Sequence, residues 1–482
     1  MVWSFDAWTP DDTPAEIIEI GSGKDLEDLE HRYTDGNGNG PLHRVLEVVS
    51  DNGVKTVVVE RRYIDVDWRS QHAAFYSGTF RRYPSITHRL HFFDKPFPAQ
   101  LAEAVDLQKA YLGYSIMRPN PLCPVGRTMV TPPRQLADAV RCEAEESIDL
   151  FGRELTVRAM PFISQDAEYL RCAHAAIWMV LHLAHLAHGL PRRLPADIHE
   201  SARGGVIVDR QLPSQGLSVP QMLQCMSALG LSPGRRTLPT SAATGEDLTG
   251  LYASVCRYVN SLLPPVVVSL THAWVVIAYQ RQPSPGHGKL TLWRHDDARG
   301  PYLRVEDPYN ELSPDHQPWA QLLPALLPKL YVDAERAETV GRYWTDMWLR
   351  SSIGQGTQVE ALFKTDQLAY RTYAVRASSY KQGLKKSGIP TALMDAYRLT
   401  PMPRYVWVIE LVDRQARANR QPDVVGEVIL DPTVSQYLPS SDGGLITVHI
   451  DTFSLTYGPD HRSPRQISLE PSPPYASGSP LR

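Results

Sequence analysis

The chain has 482 residues, 43% apolar and 21% charged, with a formal net charge of −4. Single cores stop growing near ~250–300 residues, so more than one domain is expected, and the slightly acidic balance argues against a nucleic-acid or anionic-membrane partner for the whole chain. The five cysteines (Cys123, Cys142, Cys172, Cys225, Cys256) are scattered, odd in number and free of any CxxC pair, which argues against a disulfide framework or a thiolate zinc site and suits a reducing compartment.

The opening stretch MVWSFDAWTPDD has neither the basic nor the apolar region of a signal peptide. No apolar run reaches the ~18 residues of a membrane-spanning helix, because His182, His185 and His188 interrupt the longest one. A cytoplasmic protein is expected. Residues 1–41 are acidic, end in the turn-rich DGNGNG and read as a flexible segment. IGSGKD at 20–25 lacks the glycine spacing of a phosphate loop, so no nucleotide site is expected there.

Residues 42–150 read as an α+β domain. Leu42 to Asp67 suggests a hairpin, or a helix followed by a strand, around the turn signal Asn52-Gly53. The aromatic and arginine-rich run AFYSGTFRRYPSITHRLHFFD reads as an amphipathic strand pair. PAQLAEAVDLQKAYLGY reads as a helix stopped near Gly113.

The stretch Ser164 to His188 carries the first chemical signal. Cys172 follows a polar run and opens a helix dense in Ala, Leu, Trp and Met. Backbone N–H groups at a helix start lack intrahelical acceptors, and the positive end of the helix dipole favours a thiolate placed there. Gln165, seven residues upstream, could offer its amide as an oxyanion donor. His182, His185 and His188 recur along the same helix without a matching carboxylate and read as a solvated flank rather than a metal site. His199-Glu200 lacks the second histidine of a zincin motif. Ser218 caps a helix whose Val219, Met222, Leu223, Met226 and Leu229 share a face, with Gly230 as its stop and Cys225 as a structural residue.

A second signal follows. Val266 to Leu270 reads as a strand, His272 begins another in AWVVIAY, KLTLWRHDD makes a third, and PYLRVEDPYN a fourth ending at Asp307. An antiparallel sheet of this kind could bring His272 and Asp307 to one rim. Asn310 is a second candidate to orient the histidine, with Asp296 and Asp297 poorer ones. A thiol nucleophile needs an imidazole to take and return its proton, and the imidazole needs an acceptor on its other nitrogen.

Gln165 before a helix opened by Cys172, then GLS with an amphipathic helix ending Leu-Gly-Leu, then HAWVVIAY, then a strand closing in VEDPY resemble the papain-like cysteine peptidase superfamily. The likeness is closest to the bacteriocin-processing (double-glycine leader) peptidases, and covers about 160–325. It implies Cys172 as nucleophile, His272 as general base and acid, Asp307 as orienter and Gln165 as oxyanion donor beside the Cys172 N–H, with an antiparallel sheet packed on the nucleophile helix. Arg171 and Ala173 stand where these peptidases usually carry an acidic residue and glycine.

Beyond Pro328, helices and the strands PRYVWVIELVD, GEVILDP and LITVHI suggest a second α+β domain over 329–456, and the Pro/Ser-rich 457–482 reads as a disordered tail. The expected architecture is therefore α+β, with a papain-like domain over 151–328 between two α+β domains. The expected function is a thiol hydrolase acting on a peptide or protein through an acyl-enzyme. The alternatives are an acyltransferase or deamidase with the same nucleophile, or an inactive papain-like scaffold. No cofactor, nucleic-acid partner or membrane contact is expected, and the sequence leaves the oligomeric state open.

Overall fold

The computed structural model describes residues 15–34, 40–98, 107–120, 122–202, 216–237, 245–269, 271–281, 290–305, 321–351, 354–434, 444–458, 464–469 and 473–479. These residues form a mixed α/β protein whose sheets are antiparallel. It divides into two compact units, Met1–Thr244 with Pro264–Arg281 and Leu290–Ala325, and Gly245–Leu263 with Gln282–Lys289 and Leu326–Arg482. No helix among the described residues is long and apolar enough to cross a membrane.

In the first unit, a sheet that is five-stranded among the described residues runs in the order Ala15–Glu19, Thr56–Tyr63, Thr87–Phe93, Tyr111–Met117, Val125–Val130. Ser22, with Asp25 returning its bond, caps the helix Gly23–Tyr33, which buries Leu26, Leu29 and Tyr33. The described part of 1–41 is thus packed rather than flexible, because Ile18 pairs with Val57 and Ile17 with Val58. Of the two readings around Asn52-Gly53, helix then strand is found: Pro41–Asp51 is helical, Gly53 turns at φ 83°, and Thr56 starts the strand.

Two expectations for this region fail. The aromatic run is not a strand pair, since His72–Tyr76 is a π-helical turn and Thr87–Phe93 alone is a strand, buried along its whole length. Covered on both faces, that strand has no solvent side for its sequence to alternate with. The expected helix before Gly113 is helical only from Leu107 to Ala110 among its described residues, and Tyr111–Met117 is already strand. Tertiary pairing with His88–Phe93 overrides the helix preference of this run.

A second sheet of the first unit, seven-stranded among the described residues, has the order Arg236–Thr237, Gln321–Leu323, Val266–Val268, Ala273–Arg281, Leu290–Asp296, Gly300–Val305, with Val140–Arg141 added to Ala273–Arg281. That addition, and the hairpin Ala144–Leu150/Arg153–Ala159, correct the expected boundary at 150/151. A cut there would pass through a hairpin turn and detach a strand from the sheet that carries His272.

The other unit is built on a meander, six-stranded among the described residues, of Leu368–Arg376, Tyr405–Asp413, Val424–Leu430, Leu445–Ile450, Phe453–Thr456, Arg465–Ser468. Its core includes Tyr373, Tyr380, Leu393, Tyr397, Val406 and Ile429. The expected disordered tail is ordered where it is described: Arg465–Ser468 pairs with Phe453–Thr456, and Tyr475 bridges Val424. Composition predicted disorder from low apolar content, but strand pairing needs backbone groups and only a few anchors.

Candidate active site

The helix Cys172–His188 starts where Arg171 is still extended (φ −91°, ψ 174°) and ends at Gly189 in the left-handed conformation. From Ala173 to Ala184 every side chain is buried, whereas Cys172 is half-buried. The thiol is therefore the accessible group on an otherwise enclosed first turn, beside backbone N–H groups that have no intrahelical acceptor. Cys142, Cys225 and Cys256 are buried, and burial pushes the thiols of Cys142 and Cys225 up, Cys225 to about 12.

The back of this helix is anchored by charge. Trp178 donates its Nε1–H to Asp67 Oδ1 at 3.3 Å, and the His182 ring stacks on Trp178 and lies 3.7 Å from Glu146. Arg127, itself buried, reaches Asp65 at 3.0 Å, Glu146 at 3.1 Å and Asp67 at 3.6 Å. The expected solvated flank is corrected here. His182 and His188 are buried and the His185 Nδ1 faces the Leu190 carbonyl at 2.7 Å, because tertiary packing encloses the helix on the histidine side as well.

The loop entering the helix is held from inside. Asp166, fully buried, accepts from the backbone N–H of Glu168, Tyr169 and Leu170 at 3.0, 2.7 and 2.7 Å, and Ala167 sits at φ 65°. A non-glycine residue in that region is held only by such surrounding bonds. One guanidinium nitrogen of buried Arg118 donates to the carbonyls of Cys123, Ser164 and Gln165 and to Ser164 Oγ, at 2.8–3.1 Å. Gln165 is half-buried on this loop, its carbonyl fixed by Arg118 and by Ser164 Oγ at 3.1 Å. Neither Arg118 nor Asp166 belongs to a motif, so neither was legible in the sequence.

His272 stands just before the strand Ala273–Arg281, against which the Cys172 helix packs. Its backbone is pinned to Ser269, whose N–H donates to the His272 carbonyl at 2.8 Å while the His272 N–H donates to Ser269 Oγ at 3.1 Å. Its Nε2 lies 3.2 Å from Asp296 Oδ1 and 3.7 Å from Asp297 Oδ1. Burial opposes charging of the ring, but the bond to Asp296, the neighbouring Cys172 thiol and the two carboxylate charges push it up to about 11.

By sequence, Asp296 and Asp297 stand behind Asp307 and Asn310 as partners for the imidazole. Asp307 and Asn310 lie outside the described residues, and the acid seen on the ring is Asp296. Its Oδ1 also accepts from the N–H groups of Ala298 and Arg299 at 3.1 and 3.2 Å, and its Oδ2 lies 3.5 Å from Arg294. Burial would raise this carboxyl, but the bond to His272, the charges of His272 and Arg294, and the Ala298 N–H hold it below the usual range. Asp297 is also enclosed, with neither oxygen hydrogen-bonded; burial, and the neighbouring Asp296 charge against the pull of His272, push it to about 7. The signal that would have found Asp296 is register. Val275 pairs with His295, so the start of one strand lies beside Asp296 and Asp297 at the end of the next.

Ligand atoms of His272, Asp296 and Asp297 lie within 4.8 Å of one another, a spacing that a divalent cation could also use. The ring's Nε2, however, is already hydrogen-bonded to Asp296. An imidazole oriented by a buried carboxylate, just before the strand against which the Cys172 helix packs, is a group that can move a proton to or from a thiol. Comparison with protein-family models and with curated proteins returns no match for this chain.

Proposed function

We propose that this chain is a thiol hydrolase of the cysteine-peptidase kind, using Cys172 as nucleophile, His272 as base and acid and Asp296 as orienter. The reading is carried by one observation, the His272 ring, at the start of the strand against which the Cys172 helix packs, hydrogen-bonded to the buried carboxylate of Asp296. It is supported by the position of Cys172 at the start of a helix packed on an antiparallel sheet, the arrangement that the papain-like resemblance implies.

In this reading His272 takes the thiol proton, and sulfur attacks the carbonyl carbon of a peptide or isopeptide bond. The developing oxyanion is met by the Cys172 N–H, with Gln165 on the fixed 164–166 loop as the second donor. His272 then returns the proton to the leaving amine, and a thioester remains on Cys172. A water deprotonated by His272 attacks the thioester, releases the acid and restores the thiol. Asp296 stays ionised throughout and stabilises the imidazolium.

The test is a thiol-directed electrophilic probe followed by peptide profiling. One-to-one labelling of Cys172 is expected, none on buried Cys225 or Cys256, and no turnover by Cys172→Ala, whose fold should be kept. Equal labelling of Cys172 in wild type and in His272→Ala would remove the proposed role of the imidazole.

A further inference from the structure

The segment Pro473–Ser479 lies in the unit of the six-stranded meander as a bound peptide would. Tyr475 forms a two-way backbone bridge with Val424, each N–H donating to the other's carbonyl at 3.0 Å. The Ala476 N–H donates to the Ser387 carbonyl at 2.7 Å. The Tyr475 ring is 5% exposed, belongs to the apolar core and lies over His449. Two residues on, Ser477 Oγ reaches both oxygens of Glu410 at 2.9 and 2.8 Å, and the Gly478 N–H donates to Glu410 Oε1 at 2.8 Å. Backbone pairing, an aromatic anchor and paired donors on a buried carboxylate are the three elements by which extended peptides are read.

Two features set this apart from ordinary core packing. Glu410 keeps partners of its own: Arg371 donates to Oε2 at 2.8 Å and Tyr373 OH to Oε1 at 2.9 Å. Removal of the segment would therefore leave a charge-paired carboxylate and not an orphan, so the groove is built without its occupant. The groove also measures side-chain size. A Cβ added at Gly478 would stand 3.0 Å from Tyr373 OH and 3.1 Å from a Tyr380 ring carbon, tighter than buried contacts tolerate. Pro473 and Pro474 precede the anchor and stiffen the approach, which lowers the ordering cost of binding.

We propose that this groove is a peptide-binding site that reads an extended Tyr-Ala-Ser-Gly stretch, filled in this structure by the chain's own residues 475–478. The anchor is Tyr475, the specificity comes from Ser477 and Gly478 on Glu410, and a peptide of the same sequence competes for the site. This inference does not depend on the thiol chemistry.

The probe is fluorescein-labelled Pro-Pro-Tyr-Ala-Ser-Gly-Ser, read by fluorescence anisotropy against three proteins: the whole chain, the chain stopped after Ser472, and whole-chain Gly478→Val. Saturable binding is expected to the last two, and roughly tenfold weaker binding to the whole chain, where the resident segment competes. A peptide with valine in place of glycine should bind at least about tenfold more weakly. The proposal is overturned by no saturable binding to either altered protein, by equal binding of the valine peptide, or by both altered proteins failing to fold, which would make the segment part of the core.

Discussion

Nε2 of His272 lies 3.2 Å from Oδ1 of Asp296, although 24 residues separate them in the chain. Antiparallel pairing of Ala273–Arg281 with Leu290–Asp296 brings the start of one strand to the end of the other. The pairing of the second strand with Gly300–Val305 shifts register between Arg294 and Asp296, an irregularity of the kind that re-aims a side chain. The carboxylate is thus delivered by the sheet and not by a local motif.

This pairing sets the pH behaviour of the ring. His272 is raised by its partners to about 11 against an ordinary value of 6.5, despite its burial. Its contribution to stability is therefore fully present below pH 6.5 and is lost as pH rises from there toward about 11. Asp296→Asn keeps the shape and removes the charge. The His272 imidazole, followed by NMR, should then titrate at least ~2 units lower, and Cys172 alkylation should slow by about 10²–10⁴-fold. An unmoved titration midpoint would separate Asp296 from the ring's behaviour.

Asp297 behaves in the opposite sense. Burial and the Asp296 charge raise its carboxyl from 3.8 to about 7, so folding disfavours its ionised form. The cost is absent below pH 3.8 and grows as pH rises toward about 7, after which it is constant. Asp297→Asn should match wild type near pH 4 and melt a few degrees higher at pH 7.5. A gain at pH 7.5 that is matched at pH 4 would show that packing, rather than ionisation, is the cause.

Behind the Cys172 helix, Arg127 neutralises Asp65 and Glu146 with almost no solvent contact. Replacing it with methionine fills the volume but strands buried carboxylates. Arg127→Met should lose about 3–5 kcal/mol in denaturant unfolding. Because Trp178 and His182 connect this cluster to the Cys172 helix, Cys172 labelling should fall with stability. A loss under ~1 kcal/mol would mean that solvent or relaxation compensates the acids.

The elements with local signatures were legible in the sequence. The helix opened by Cys172, the Ser218-capped helix Val219–Ala228 stopped before Gly230, and the strands Ala273–Arg281 and Leu290–Asp296 all follow from apolar periodicity, caps and a glycine stop. The places of Cys172 and His272 at the edges of such elements were legible in the same way. Tertiary structure alone decided which acid meets the imidazole, that Arg118 and Asp166 brace the loop before Cys172, and that the region before 150 shares a sheet with His272. The reason is the range of the interactions. Helix caps and apolar stripes are set by neighbours within a few residues, whereas register, buried ion pairs and shared sheets join residues whose separation along the chain carries no information about their distance in space.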